Sequence, residues 1–209
     1  MANKNDISIN KYISSSGYCS RRAADDLIDE GRVTINGQIA RKGNRVTDAD
    51  DVQIDFEPLY PKKKKKKKAK KKIYIMLNKP VGIECTANRN IANNIIDFID
   101  HEERIFPIGR LDKDSQGLIL LTNDGDIVNK ILRASNKKEK EYYVEVNKNI
   151  TKDFIYKMSN GIEILGKTTA KCEVKKLSKR IFSITLTQGM NRQIRRMCRA
   201  LDYKVKTLE

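Results

Sequence analysis

The chain has 209 residues, 39% hydrophobic and 33% charged, and no apolar run near the roughly 20 residues that a membrane helix needs, which excludes a helical membrane protein. The opening Met-Ala-Asn-Lys-Asn-Asp lacks the apolar core of a secretory signal, so a cytoplasmic compartment is expected, and Cys19, Cys85, Cys172 and Cys198 form no CxxC pair, which argues against a zinc knuckle or a disulfide framework. The net charge of +16 is uneven: residues 1 to 61 carry eight Lys/Arg against ten Asp/Glu, residues 62 to 72 carry ten lysines, and residues 73 to 209 carry 25 against 17, an excess that draws a polyanion, nucleic acid first.

From Ile7 to Asp55 the punctuation predicts a small α+β unit. Ser20 is placed to cap a helix with Ala23, Ala24, Leu27 and Ile28 on one face, and Gly31 to stop it in the left-handed conformation. Residues Val33 to Ile39 then alternate apolar and polar around Asn36-Gly37, the pair that favours a type I′ hairpin. Pro58, Pro61 and the lysines from Lys62 to Lys72, broken only by Ala69, repel one another and offer nothing to a core, so residues 59–72 are expected to be a disordered linker. No amphipathic segment with a large apolar face accompanies the lysines, and no membrane partner is expected.

A second domain is expected over residues 73–209. Ile73 to Leu77 reads as a buried strand, followed by a turn at Lys79-Pro80-Val-Gly82. Leu118 to Thr122 reads as a strand closed by Asn123-Asp-Gly125, with a helix over Asp126 to Ser135. Tyr142 to Val146, Ala170 to Leu177 and Ile181 to Leu186 alternate at the strand period, while Thr151 to Asn160 and Asn191 to Leu201 follow the helical one. The order of types predicts α+β with a mainly antiparallel sheet flanked by helices and loops.

Two candidate chemistries meet at Pro107 to Gly125. Asp112, Asp114, Gln116 and Gly117 imitate the start of a calcium loop, but its twelfth position is Asn123 where a bidentate Glu is required, and Arg110 and Lys113 would repel a metal. The other is a carboxylate, Asp112, lodged between Arg110 and Lys113 ahead of a buried strand, able to project into a cleft. On the helix after Asn191, Ile194, Met197, Cys198 and Leu201 share one arc and Arg192, Arg195, Arg196 and Arg199 the other; alone, such a stripe reads as solvated surface. His101, the one histidine, matches no triad and reads as a surface residue.

Over about 50 residues the N-terminal motifs, Gly17-Tyr-Cys-Ser-Arg-Arg-Ala23, Gly31-Arg-Val-Thr-Ile-Asn-Gly37 and Gly43-x-x-Val46, resemble the S4 RNA-binding domain, taken as residues 1–58. The resemblance implies that Lys11, Arg21, Arg22 and Arg32 contact RNA phosphates, with specificity left mostly to shape. Arg110-Leu-Asp-Lys-Asp-Ser-Gln-Gly117 with the following Leu-x-Leu-x-Thr-Asn-x-Gly125 resembles the central motif of RsuA-type pseudouridine synthases. Lys79-Pro80-x-Gly82, Lys140-Glu-Tyr142-x-Val144 and Gly189-x-Asn-Arg-Gln-Ile-Arg-Arg-Met197 match the family's other motifs in order, and the wording is most similar to the RluF subfamily, which modifies 23S ribosomal RNA.

The resemblance implies isomerisation of uridine to pseudouridine with no cofactor and no metal. Asp112 would act on the sugar as an ionised carboxylate, aspartate having an ordinary pKa of about 3.9; whether it attacks the sugar or promotes a glycal stays open. Arg195 would pair with Asp112, Tyr142 would stack on the uracil while Tyr143 points away, Arg110 would enter the space left by the flipped base, and Leu208 would pack against the uracil. Arg192, Arg196 and Arg199 would face phosphates. Structured RNA is the expected partner, 23S ribosomal RNA first and a transfer RNA second, for a monomeric enzyme. The sequence stops at Glu209, where relatives of this type continue, so a shortened C-terminal end is expected. An alternative from another class is an S4-type RNA-binding or ribosome-assembly factor whose second domain no longer turns over.

Overall fold

The computed structural model describes residues 6–59, 71–132 and 138–209, and the chain divides into two units, Met1–Lys70 and Lys71–Glu209. The expected linker lies mostly outside the described residues, as does the end of the expected helix beyond Leu132.

The first unit runs β1 (Ile7–Ser8), α1 (Ile9–Ser16), α2 (Arg21–Asp29), β2 (Val33–Ile35), β3 (Gln38–Ile39), β4 (Arg45–Val46), β5 (Val52–Ile54) and β6 (Glu57–Pro58). The Ser20 hydroxyl accepts from the backbone N–H of Ala23 at 3.1 Å, the bond an N-cap supplies to an otherwise orphaned donor. Gly31 turns with φ +71°, and Asn36 and Gly37 both take positive φ, as a type I′ turn demands. Strands β3-β2-β5-β6 form an antiparallel sheet. The core gathers Ile9, Tyr12 and Ile13 from α1, Ala24 and Ile28 from α2, and Val33, Val52 and Ile54 from the sheet.

The second unit contains β7 (Tyr74–Lys79), α3 (Ile95–Ile99), β8 (Phe106–Ile108), β9 (Gly117–Thr122), α4 (Gly125–Leu132), β10 (Lys140–Val146), α5 (Lys152–Asn160), β11 (Glu163–Ile164), β12 (Lys167–Thr168), β13 (Glu173–Lys176), β14 (Ile181–Leu186), α6 (Gln193–Ala200) and β15 (Val205–Leu208). Its two main sheets, β7-β9-β8 and β13-β14-β10-β15, are antiparallel throughout, the α+β architecture read from the sequence. Phe154 and Met158 of α5 and Ile194, Met197 and Cys198 of α6 bury against Val144, Phe182, Ile184 and Leu186 on one face of the four-stranded sheet. Phe154 meets Phe182 edge-on with ring centroids 5.3 Å apart, a favourable aromatic geometry. Ile95, Ile96, Ile119 and Leu121 form a smaller core under β7 and β9. Among the described residues no helix is long and apolar enough to cross a membrane.

Candidate active site

The segment between β8 and β9, residues 109–116, is pinned from three directions. Lys113 O accepts from Gly82 N–H at 2.8 Å, Cys85 Sγ accepts from Leu111 N–H at 3.4 Å, and Leu208 O accepts from Gln116 N–H at 3.0 Å. Ser115 N–H closes a turn onto Asp112 O at 3.1 Å. Gly117, with φ +117°, passes so close to the chain end that an added Cβ would sit 3.3 Å from Glu209 Cγ, so both the backbone angle and the approach call for glycine.

The result is a half-buried Asp112, its side chain 32% exposed, facing the start of α6. Asp112 Oδ2 stands 3.7 Å from Arg192 Nη1 and 4.0 Å from Arg195 Nε. The expected partners are thus brought together without a hydrogen bond between them. Arg195, 14% exposed, instead donates from Nη2 to Asp114 O at 2.7 Å and to Ser115 Oγ at 3.1 Å, and its buried Nε lacks a hydrogen-bond partner. Arg192 is not part of the helical stripe. It precedes α6 in the left-handed conformation, φ 50° and ψ 37°, and forks onto Asp114 at 3.0 and 2.6 Å.

Tyr142 packs against the core beside this cluster, while Tyr143, next on β10, is half exposed on the opposite face, as strand alternation requires. Burial, and after it the charge of Asp112, push the Tyr142 phenol above its ordinary pKa, so it is neutral at physiological pH. Leu208 is buried in the same core, paired with Val144 of β10. Arg110 is exposed and makes no hydrogen bond among the described residues. Arg196 turns back to Asn191, bonding its carbonyl at 3.0 Å and its side-chain oxygen at 3.1 Å, and Arg199 is exposed.

Three contributors stood in the quoted motifs without being given a role. Asp114 figured as a motif letter and as a rejected metal ligand, Ser115 is buried beneath Arg195, and Lys79 has no exposed surface at all. Lys79 Nζ donates to Pro80 O and Ile83 O, both at 2.9 Å, which tightens the turn that bonds to Lys113. The available signal for Asp114 was a second carboxylate two residues from the first, opposite two arginines three residues apart. Among the described residues no group of three or more His, Cys, Asp or Glu could hold a metal.

In the first unit, Arg21 and Arg22 open α2 on the surface; Arg21 donates to Asn10 Oδ1 at 3.1 Å and Arg22 is exposed. Lys11 lies on α1. Arg32 is occupied within the fold: its fork engages Asp55 at 2.8 and 2.5 Å and Glu30 at 3.1 Å.

A carboxylate a third exposed, flanked by two guanidinium groups and a neutral, partly buried phenol, suits chemistry at an electron-poor carbon inside a polyanion. Residues 73–200 match the family described as RNA pseudouridylate synthase, and residues 8–52 match the S4 domain. The chain belongs to the RNA pseudouridine synthase family and carries an S4 domain. It is 53% identical over 203 residues to the dual-specificity RNA pseudouridine synthase RluF of Escherichia coli (strain K12), covering 97% of this chain and 68% of that one. It is 34% identical to the ribosomal large subunit pseudouridine synthase B of Bacillus subtilis (strain 168), covering 96% and 83%. A solved structure described as a pseudouridylate synthase superposes with a TM-score of 0.65 at 27% identity, covering 97% and 86%. The chain is thus an RNA pseudouridine synthase; these similarities support the enzyme over a binding factor with an idle second domain.

Proposed function

We propose that the enzyme acts on a uridine of 23S ribosomal RNA, a transfer RNA being the second candidate, with Asp112 as the reacting carboxylate. The reaction breaks the N1–C1′ bond, turns the uracil in place and forms C5–C1′; the C5 proton leaves, N1 gains one, and no electrons are gained or lost. Asp112 stabilises or attacks C1′ as the base departs. Arg195 and Arg192 supply positive charge beside it, and Tyr142 stacks on the uracil, its neutral phenol within reach of the C5 proton. Leu208 bounds the base pocket. A base inside a helix must be extruded first, and exposed Arg110, two residues from Asp112, fills the gap.

RNA is held by Arg192, Arg196 and Arg199 in the catalytic domain, residues 73–209, and by Lys11, Arg21 and Arg22 in the S4 domain, residues 1–58. Residues 59–72 tether the two. Arg32 belongs with this set as a phosphate contact, its guanidinium also engaging Asp55 and Glu30. The protein works as a monomer in the cytoplasm. The ribosomal assignment is supported by similarity to a synthase named for the large ribosomal subunit, and a second RNA substrate is in keeping with relatives named for dual specificity.

The observation that carries the reading is the Asp112 carboxylate, 32% exposed and within 4.0 Å of both arginines. RNA carrying tritium at uracil C5 tests it, because that hydrogen leaves in the product. The parent should release tritium and Asp112→Asn should release it on the order of 10³-fold or more slowly, at unchanged RNA affinity. Equal release from the two proteins would defeat the assignment, and mapping pseudouridine in 23S and transfer RNA with and without the protein identifies the target.

A further inference from the structure

The two carboxylates of residues 109–116 divide the two arginines unequally. Asp114 takes the fork of Arg192 at 3.0 and 2.6 Å, stands 3.4 Å from Arg195 Nε, and offers its backbone oxygen to Arg195 Nη2 at 2.7 Å. The Asp112 carboxylate accepts no hydrogen bond among the described residues, although the same guanidinium groups stand 3.7 and 4.0 Å away. A movement of about 1 Å would let Arg192 bond Asp112, since such bonds form near 2.7–2.9 Å. Arg192 is instead held by Asp114, and it sits in a left-handed backbone that L residues adopt only at a cost.

The Asp114 side chain is 46% exposed, and an ion pair that open contributes little to folding. Its arrangement matters to Asp112 instead. A guanidinium bound through two oxygens occupies the lone pairs that a carboxylate must present to carbon; held a little further off, it leaves those lone pairs open. We infer that Asp114 is a positioning residue for the isomerisation: it draws Arg192 aside, and through its backbone oxygen steadies Arg195, so that Asp112 keeps the positive surroundings while both its oxygens remain open to the sugar. The inference rests on Asp112 being the reacting carboxylate. Arg192 in turn holds the Asp114 carboxyl below the usual carboxylate range, so the diverting charge is present throughout the neutral range.

The test uses the full chain and the tritiated RNA, with single-turnover rates at saturating protein and RNA affinity measured separately. Asp114→Asn, which keeps the size and removes the charge, should slow the rate about tenfold or more while the RNA Kd stays within about threefold. Adding Arg192→Gln should raise the rate again, to within about threefold of Arg192→Gln alone, because the released guanidinium is then gone. Asp114→Glu, which keeps the charge, should fold and stay within about threefold of the parent, and covers the case in which Asp114→Asn fails to fold. The inference is overturned by an Asp114→Asn rate within about twofold of the parent, by a double variant no faster than Asp114→Asn, or by a tenfold loss in Asp114→Glu. Asp112→Asn run alongside separates the two levels: inactive Asp112→Asn with unimpaired Asp114→Asn overturns this inference alone, whereas active Asp112→Asn removes the reading beneath it.

Discussion

Lys79 is among the largest side chains with no exposed surface, and its ammonium is met by two backbone carbonyls and no carboxylate among the described residues. Burial pushes its pKa down, and the charges of Cys85, Asp112 and Asp114 only partly offset this. Lys79→Met keeps the length and loses both bonds; stranded carbonyls cost about 1–3 kcal/mol each, less what is regained by no longer burying a charge, so a net loss of about 2 kcal/mol in denaturant unfolding is expected. The pH dependence has a definite sign. The folded protein releases the Lys79 proton at lower pH than the unfolded chain, whose lysines titrate near 10.4, so between those two values the unfolded state binds more protons and stability gains with rising pH. The advantage of the parent over Lys79→Met should therefore widen as pH rises toward 10.4, and parallel stability curves would exclude it. The sequence displayed Lys79 as a motif letter but not as a buried charge. Lysine is ordinarily solvated, and only the antiparallel register that sets Lys79 opposite Gly117 brings it inside. Asp112 and Arg195 were legible for the opposite reason, being fixed by motifs; the unequal sharing of Arg192 depends on a backbone angle that no spacing encodes.

Among elements, those punctuated by their own residues were legible and those held by distant partners were not. The helix α2 starts at the Ser20 cap and the β2–β3 turn falls at Asn36-Gly37 because these residues satisfy the local backbone themselves. Ser20→Ala should cost about 1 kcal/mol in denaturant unfolding of the first unit, and it should weaken RNA binding through Arg21 and Arg22, which that cap places in the first turn. A variant as stable as the parent would show that tertiary packing alone holds the helix start. By contrast, the two-residue strands β1 and β4 exist only because Ile7 meets Val46, and β11 and β12 because Glu163 meets Thr168; neither pair carries a run long enough to alternate. The helix expected from Asn191 begins at Gln193, whose Oε1 accepts from Met190 N–H at 3.0 Å and turns the chain first. That turn is what sets Arg192 apart from the arginine stripe and over the two carboxylates.

At the scale of the molecule, the S4 domain carries no net excess of positive charge, and three of its cations are paired within it. Within residues 1 to 61, Arg32 binds Asp55, Arg45 binds Asp6 and Lys42 binds Asp29, and the segment as a whole holds eight basic against ten acidic residues. The charge available to RNA phosphates at long range therefore comes from the catalytic domain and from the ten lysines of residues 62–72. Each lysine that neutralises a phosphate steepens the fall of log affinity with log salt by roughly 0.7 on single strands and 0.9 on duplex. Exchanging the ten lysines for glutamine should thus flatten the salt dependence of RNA binding by several units and weaken it most at low salt, because released counterions supply most of the affinity there. The single-turnover rate at saturating protein should stay within about twofold, since the lysine run belongs to none of the motifs that carry Asp112, Tyr142 and Arg195. An unchanged salt slope would assign the electrostatic work to the arginines after Asn191, and the lysine run would then be a spacer whose charge serves some other end.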